Sequence, residues 1–346
     1  MAEKKTAPVI LFTYNRPEHT RRTIEALAKN ELAQDTELFV FSDAAKKEAD
    51  RGKVQEIRDY VAQAGGFFKV TLIAREENYG LARNVIEGVT EIIERYGTVI
   101  VLEDDLVTNR YFLRFMNDAL SRYEKNPKVT GVTGFSHFAD TVTLPCESYF
   151  HTLTGTSWSW ATWADRWRHF DATCSDWTRM KEDAKLRRRF NYDNTYNFYK
   201  IMKDQQTDAG TNSWAIRWYW TNFKRDGYIL SPLRSLVSNE GWDGSGVHCG
   251  ESREPVFDHH LATDHAVTEF PDEVAERPEV HRLMKRALLD EIPEGKVSLE
   301  NECIPRWMQE GRRLGGIVND GYFIDIGVPE DYFRFQEDVR KGDITW

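Results

Sequence analysis

Glu103, Asp104 and Asp105 stand in a row directly after the apolar run "VIVL" at residues 99–102. Three adjacent carboxylates repel one another, so such a run at the end of a buried strand calls for a cation. Hard oxygen ligands suit Mg²⁺ or Mn²⁺, which take one or two protein carboxylates together with substrate phosphate oxygens. In an extended chain Asp104 points away from Glu103 and Asp105, so the three do not share one ion. Asp105 is assigned to the metal, and Glu103 and Asp104 to ribose hydroxyls or to holding nearby loops. Taken alone, the run also reads as a solvated acidic turn; its surroundings decide.

Two other stretches supply those surroundings. In "NYGLARN" (residues 78–84) Gly80 permits a tight turn, Leu81 and Ala82 open a helix, and Arg83 falls in its first turn. A helix N-terminus beside a guanidinium attracts a diphosphate; a capping turn with a surface arginine is the plainer alternative. Asp43 ends "ELFVFSD" and is suited to accept hydrogen bonds from a nucleobase imide or a ribose, or to cap the next helix.

These residues need a scaffold that gathers them. Between residues 8 and 105 short continuous apolar runs, "PVILF", "ELFVFSD", "KVTLIA" and "VIVLEDD", alternate with helical patterns. One helix carries Ile24, Leu27 and Ala28 on a face; another carries Val85, Ile86, Val89, Ile92 and Ile93 and ends at Gly97 as a C-cap. Continuous apolar strands separated by helices imply a parallel sheet covered on both faces. Ligands of such sheets bind beyond the carboxyl ends of the strands, where "TYNR", "SD", "REENYG" and "EDD" all fall. Residues 130–250 read as irregular and aromatic. The Trp158, Trp160, Trp163 and Trp167 series reads as the start of a buried helix or as a platform for a sugar. The polar, Pro-bearing stretch near 260–280 marks the boundary candidate, giving domains 1–255 (halves 8–105 and 106–255) and 256–346.

The 346 residues carry 46 Lys and Arg against 56 Asp and Glu, a net charge of −10, which argues against a nucleic-acid partner. The N-terminal segment does not read as a signal peptide, and no apolar run is long enough to span a bilayer. The four cysteines have no paired spacing for zinc, which suits reduced thiols in a cytoplasmic setting. "KLRRRF" (185–190) reads as a solvated helical face, with attraction to anionic lipid at the membrane surface as the alternative.

In that order "VILFTYNRPEHTRRTIEAL", "FSD", "ENYGLARN" and "VLEDDL" resemble the nucleotide-sugar half of inverting GT-A glycosyltransferases of the large bacterial family two. The "EDD" form and "GTSWSWATWADRW" are also similar to the N-acetylglucosaminyltransferase I branch. The resemblance covers about residues 8–250. It implies a Rossmann-like α/β fold with a mostly parallel sheet, a nucleoside-diphosphate sugar donor with UDP favoured, and Mn²⁺ or Mg²⁺. It also implies a glycan or lipid-linked acceptor in surface-polysaccharide synthesis. Thr13, Asn15 and Arg16 would line the nucleotide pocket, Asp43 would contact the base, Arg83 would approach the diphosphate or ribose, and Asp105 would hold the metal. Inverting transfer needs a general base, expected just before the Trp of the "SW" motif. Here Asn212 and Ser213 precede Trp214, so Asp208 and the glycine-flanked Asp243 are the candidates, with His248 completing the metal shell.

Residues from about 298 onward resemble the C-terminal end of sugar-1-phosphate nucleotidyltransferases, where the position of Asp325 helps hold Mg²⁺. Those enzymes need a Gly-rich loop after the first strand, whereas this chain has "FTYNRPEHTRR". Nucleotidyl transfer is therefore the weaker reading, beside that of an inactive sugar-nucleotide-binding scaffold.

Overall fold

The computed structural model describes residues 6–138, 142–153, 157–207, 212–241 and 265–289, all within one compact unit that spans Met1–Glu291. The expected boundary at 255/256 and the segment after it that carries Asp325 lie outside the described residues, apart from 265–289.

Four strands and three helices alternate as the apolar runs require: β1 (Val9–Thr13), α1 (Pro17–Ala28), β2 (Glu37–Ser42), α2 (Arg51–Val61), β3 (Lys69–Ala74), α3 (Gly80–Tyr96) and β4 (Thr98–Glu103). Strand β5 (Leu106–Thr108) and α4 (Phe112–Tyr123) follow, and then β6 (Val129–Thr133), β7 (Ser148–His151) and β8 (Trp160–Trp163). Short helices α5 (Ala164–Trp167), α6 (Arg179–Glu182) and α7 (Ala184–Phe190) precede α8 (Phe198–Thr207) and α9 (Trp214–Phe223). The described chain closes with β9 (Tyr228–Pro232), β10 (Val237–Asn239) and α10 (Pro278–Leu289).

Eight strands form one sheet in the order β3-β2-β1-β4-β8-β6-β9-β7. Only β8 and β7 run against the others. Alternate residues of each central strand enter opposite layers. Val9, Leu11, Ile100 and Leu102 pack under α1, α2 and α4, whereas Ile10, Phe12, Val99 and Val101 pack under α3 and α9. Helix α3 presses closely on the sheet at Gly88, where a Cβ would come 2.9 Å from Phe12 and 3.1 Å from Phe41. Its C-cap is Gly97, at φ 80°, as the sequence pattern expects.

The stretch read as irregular contains four strands of the sheet, and "WATW" is an inner one, paired with both β4 and β6. Trp160 and Trp163 are therefore strand residues. Trp160, Trp167, Trp214 and Trp218 stack among themselves beneath α3 with centroids 5.0–6.0 Å apart, which makes them core rather than a sugar platform. "KLRRRF" is α7, whose Phe190 is buried and whose Arg188 and Arg189 are exposed ion-pair partners of Asp193 and Asp226, in line with the solvated face. Among the described residues no helix is long and apolar enough to cross a membrane.

Residues 265–289 strap this body. Phe270 stacks on Phe115 at 5.7 Å, and the Tyr123 hydroxyl donates to the Pro271 carbonyl at 2.6 Å. Val280 and Met284 of α10 enter a second aromatic core around Phe190, Tyr219 and Trp220. His281 sits between two carboxylates, Glu276 at 2.9 Å and Asp193 at 3.0 Å, while Tyr192 donates to Glu276 and Lys285 and Arg188 approach Asp193. Burial alone would lower the His281 pKa, but these carboxylates raise it above its ordinary value. A raised histidine stabilises the fold fully below its unfolded pKa of about 6.5 and loses that contribution as pH climbs through the folded value. The stability gap between the protein and His281→Ala should therefore be widest near pH 6 and narrow steadily above it. Urea melts across that range check this, and a gap that grows with pH would contradict it.

Candidate functional site

The carboxyl ends of β1, β2 and β4 lie side by side, with Thr13 opposite Ser42 and Phe12 opposite Glu103. The acid run thus stands at the sheet rim, one strand from Thr13 and two from Asp43. It does not face bulk water, since Asp104 and Asp105 are 4% and 8% exposed.

Arg16 offsets the repulsion between Asp104 and Asp105. Its Nη2 donates to Asp104 Oδ1 and lies 2.9 Å from Asp105 Oδ2. Burial alone would lower the Arg16 pKa, but Asp104 and Asp105 together raise it well above the usual value. Burial pushes Asp104 up to about 6, against the pull of Arg16 and with the push of Asp105. Glu103, which Arg16 does not pair with, is pushed up to about 8 by burial and by Asp105 and Asp104. The backbone of the run is held as well, because Thr23 Oγ1 of α1 donates to the Asp104 carbonyl at 2.8 Å.

A second segment closes over the pair. Strand β10 runs antiparallel to β5, and the Glu240 amide donates to the Asp105 carbonyl at 2.9 Å. Glu240 is anchored in turn to α1, through Arg22 and through a 3.2 Å contact of its carbonyl with His19 Nε2. At Gly241 any side chain would press on these groups. A Cβ there would stand 3.1 Å from Arg16 Nη1 and from Asn239 Oδ1, and closer still to Asp105 Oδ2. The chain enters "WDGSGVHC" from this pinned glycine; Asp243 and His248, like Asp208, lie outside the described residues.

Asp43 has other work than the expected base contact. Its Oδ1 accepts from the Ala44 and Tyr79 amides at 2.9 and 2.8 Å, and its Oδ2 from the Gly80 amide and Asn78 Nδ2 at 2.9 and 3.2 Å. A carboxylate offers about four acceptor positions, so a nucleobase would compete with this chain's own donors. Nor does Asp43 cap the next helix; it caps α3, one helix further on, and fixes the turn at Gly80, where φ is +69°. Arg58, which the sequence did not single out, ties the same place together through Ser42 Oγ at 3.1 Å and the Arg75 carbonyl at 2.9 Å.

The remaining expected residues divide. Thr13 is buried and its Oγ1 has no hydrogen-bond partner. Asn15 donates to Asp50 at 3.0 Å, and Tyr14 donates to the same carboxylate at 2.9 Å, so this pair braces the loop after β2. Arg83 is not drawn to the acid run. It is half exposed, pairs with Glu77 at 3.0 Å and Glu87 at 2.8 Å, and lies 3.6 Å over the Tyr79 ring. Among the described residues no three His, Cys, Asp or Glu side chains are grouped to hold a metal ion.

Comparisons with known proteins meet this geometry. Residues 9–145, less than half the chain, match the family model described as Glycosyl transferase family 2, so the chain carries a glycosyltransferase domain over that stretch. A 62-residue stretch is 36% identical to a mannose-1-phosphate guanylyltransferase of Mycobacterium tuberculosis, spanning 17% of this chain and 17% of that protein. The chain is similar to the solved S. aureus TarS (16% identity, 41% of this chain and 23% of that chain, TM-score 0.28). It is similar also to TarS 1–349 (10%, 67% and 59%, TM-score 0.38). A third likeness is to the mannosyltransferase PcManGT from Pyrobaculum calidifontis, solved with GDP-Man and Mn²⁺ (13%, 64% and 73%, TM-score 0.34).

Replacing Asp43 by Ala leaves the Tyr79 and Gly80 amides without their acceptor and should cost about 3 kcal/mol of stability. Urea unfolding measures it; a loss below roughly 1 kcal/mol would show that water serves α3 equally well.

Proposed function

We propose that the protein is a metal-dependent inverting glycosyltransferase that moves a sugar from a nucleoside-diphosphate sugar to a hydroxyl of a glycan or lipid-linked acceptor. The observation that carries the reading is the buried acid run at the end of β4, beside the orphan hydroxyl of Thr13, inside the stretch that matches the glycosyltransferase model. UDP is the favoured nucleotide. The "EDD" run and "GTSWSWATWADRW" favour the N-acetylglucosaminyltransferase I-like branch, with 256–346 as a nucleotidyltransferase-like extension. A cytoplasmic enzyme of surface-polysaccharide synthesis, peripheral to the membrane, fits the same reading.

The donor set suits a hard cation. Asp105 and Asn239 bring a carboxylate and an amide oxygen together around Gly241, and Mg²⁺-type ions bound through substrate phosphates need only one or two protein carboxylates. When bound, Mn²⁺ or Mg²⁺ would neutralise charge on the departing diphosphate. The chain's own residues do the rest. Asp43 holds the Asn78–Gly80 turn and the first turn of α3 in place, and Thr13 closes β1 beneath the rim. Glu103 and Asp104 line the floor next to the metal position. Of the two general-base candidates, Asp243 is preferred to Asp208 for the glycines that flank it in the sequence, and His248 of the same stretch is the further metal ligand.

The likeness to a guanylyltransferase favours one second reading, nucleotidyl transfer. The glycine-free "TYNRPEHTRR" after β1 speaks against it.

Thermal-shift measurements with UDP and GDP, each with and without Mn²⁺, test the proposal, since a ligand that binds only the folded state raises its melting temperature. One nucleotide should stabilise the protein in a Mn²⁺-dependent manner, and Asp105→Ala should abolish both that shift and Mn²⁺-dependent donor hydrolysis. Equal hydrolysis in both proteins would favour an inactive binding scaffold. Pyrophosphate release from a nucleoside triphosphate and a sugar phosphate would favour the nucleotidyltransferase.

A further inference from the structure

We infer that Arg16 is a positioning residue that occupies Asp105 as an internal counter-cation and releases it when an anionic nucleotide arrives, so that nucleotide and divalent ion bind cooperatively. The inference rests on the metal reading given above and adds to it an order of events.

One guanidinium nitrogen of Arg16 serves both carboxylates, at 2.9 Å from Asp105 Oδ2 and in hydrogen-bond contact with Asp104 Oδ1. The three side chains are 16%, 5% and 10% exposed, so water screens them little. A nearby cation stabilises two ionised carboxylates in such a place, because a buried charge without its partner is strongly destabilising. A guanidinium and a divalent ion cannot both take Asp105 Oδ2 without bringing two cations into contact, and Gly241 and Asn239 close the space beside them. Free protein therefore resists the metal at this carboxylate. A diphosphate changes the balance, since its oxygens offer a guanidinium a bidentate, charge-assisted partner. Arg16 lies at the N-cap of α1 and makes no side-chain capping bond there, so it can turn from Asp105 while keeping Asp104 and leave the helix intact. By linkage, whatever factor the nucleotide adds to metal affinity, the metal adds to nucleotide affinity.

The test is a titration with Mn²⁺, read by the electron paramagnetic resonance signal of the free ion, on full-length protein, Arg16→Ala and Arg16→Lys. Each is measured alone and with UDP or GDP. The native protein should bind Mn²⁺ weakly alone and roughly tenfold or more tightly with nucleotide. Arg16→Ala should bind Mn²⁺ alone roughly tenfold more tightly than the native protein and gain little from nucleotide. Arg16→Lys, a point charge without the planar fork, should fall between them and keeps the test open if the alanine variant does not fold. A purely structural arginine would not raise metal affinity when removed. Equal Mn²⁺ affinity of native and variant proteins without nucleotide, with both binding Mn²⁺ in its presence, would overturn the role of Arg16 and leave the metal reading standing. No Mn²⁺ binding by either protein under any condition would overturn both.

Discussion

The rim of this sheet exists because one guanidinium stands between two buried carboxylates. Without Arg16, Asp104 and Asp105 would face each other's charge at the end of a strand whose preceding residues, Val101 and Leu102, are 1% exposed. Removing one partner of a buried pair costs far more than the pair contributes. The neighbouring elements are arranged to keep it in place: α1 delivers Arg16 and grips the Asp104 carbonyl through Thr23, and β10 lays Glu240 and Gly241 over Asp105. The chain thus brings residues from three distant places in the sequence to one charge-balanced spot.

A second fixed point lies two strands away. Asp43 gathers four donors from Ala44 and the Asn78–Gly80 turn, which sets where α3 begins and where its N-terminal dipole points. Between these anchors Thr13 keeps a buried hydroxyl without a partner. Both ends of the rim are thus tied by the chain's own ion pairs and hydrogen bonds.

The half from β1 to β4 was legible in the sequence because its strands are continuous apolar runs and its helices carry clear stripes. The Gly97 cap and the faces of α1 and α3 fall where the pattern puts them. The other half was not legible, because β6, β7 and β8 are only four or five residues long and mix Thr, Gly, Ser and Trp. Such strands are specified by the neighbours they pair with, far away in the chain, rather than by their own periodicity. At the site, the acid run could be read as a cluster at a strand end, but its partner could not. Arg16 lies 88 residues before Asp104 and looks like any arginine that opens a helix. Asp43 was legible as a capping residue but not in its target: a cap is expected to serve the next helix, and here it serves the one after. Arg83 drew notice by its place in a first turn, yet Glu77 and Glu87 lie close enough to take its charge.

A double-mutant cycle on Arg16→Ala and Asp104→Ala, measured by urea unfolding, tests the central claim most directly. Residues that compensate one another in a buried pair should show a coupling of about 1.5 kcal/mol or more. Losses that add to within roughly 0.5 kcal/mol would mean that Arg16 does not hold the acid run together.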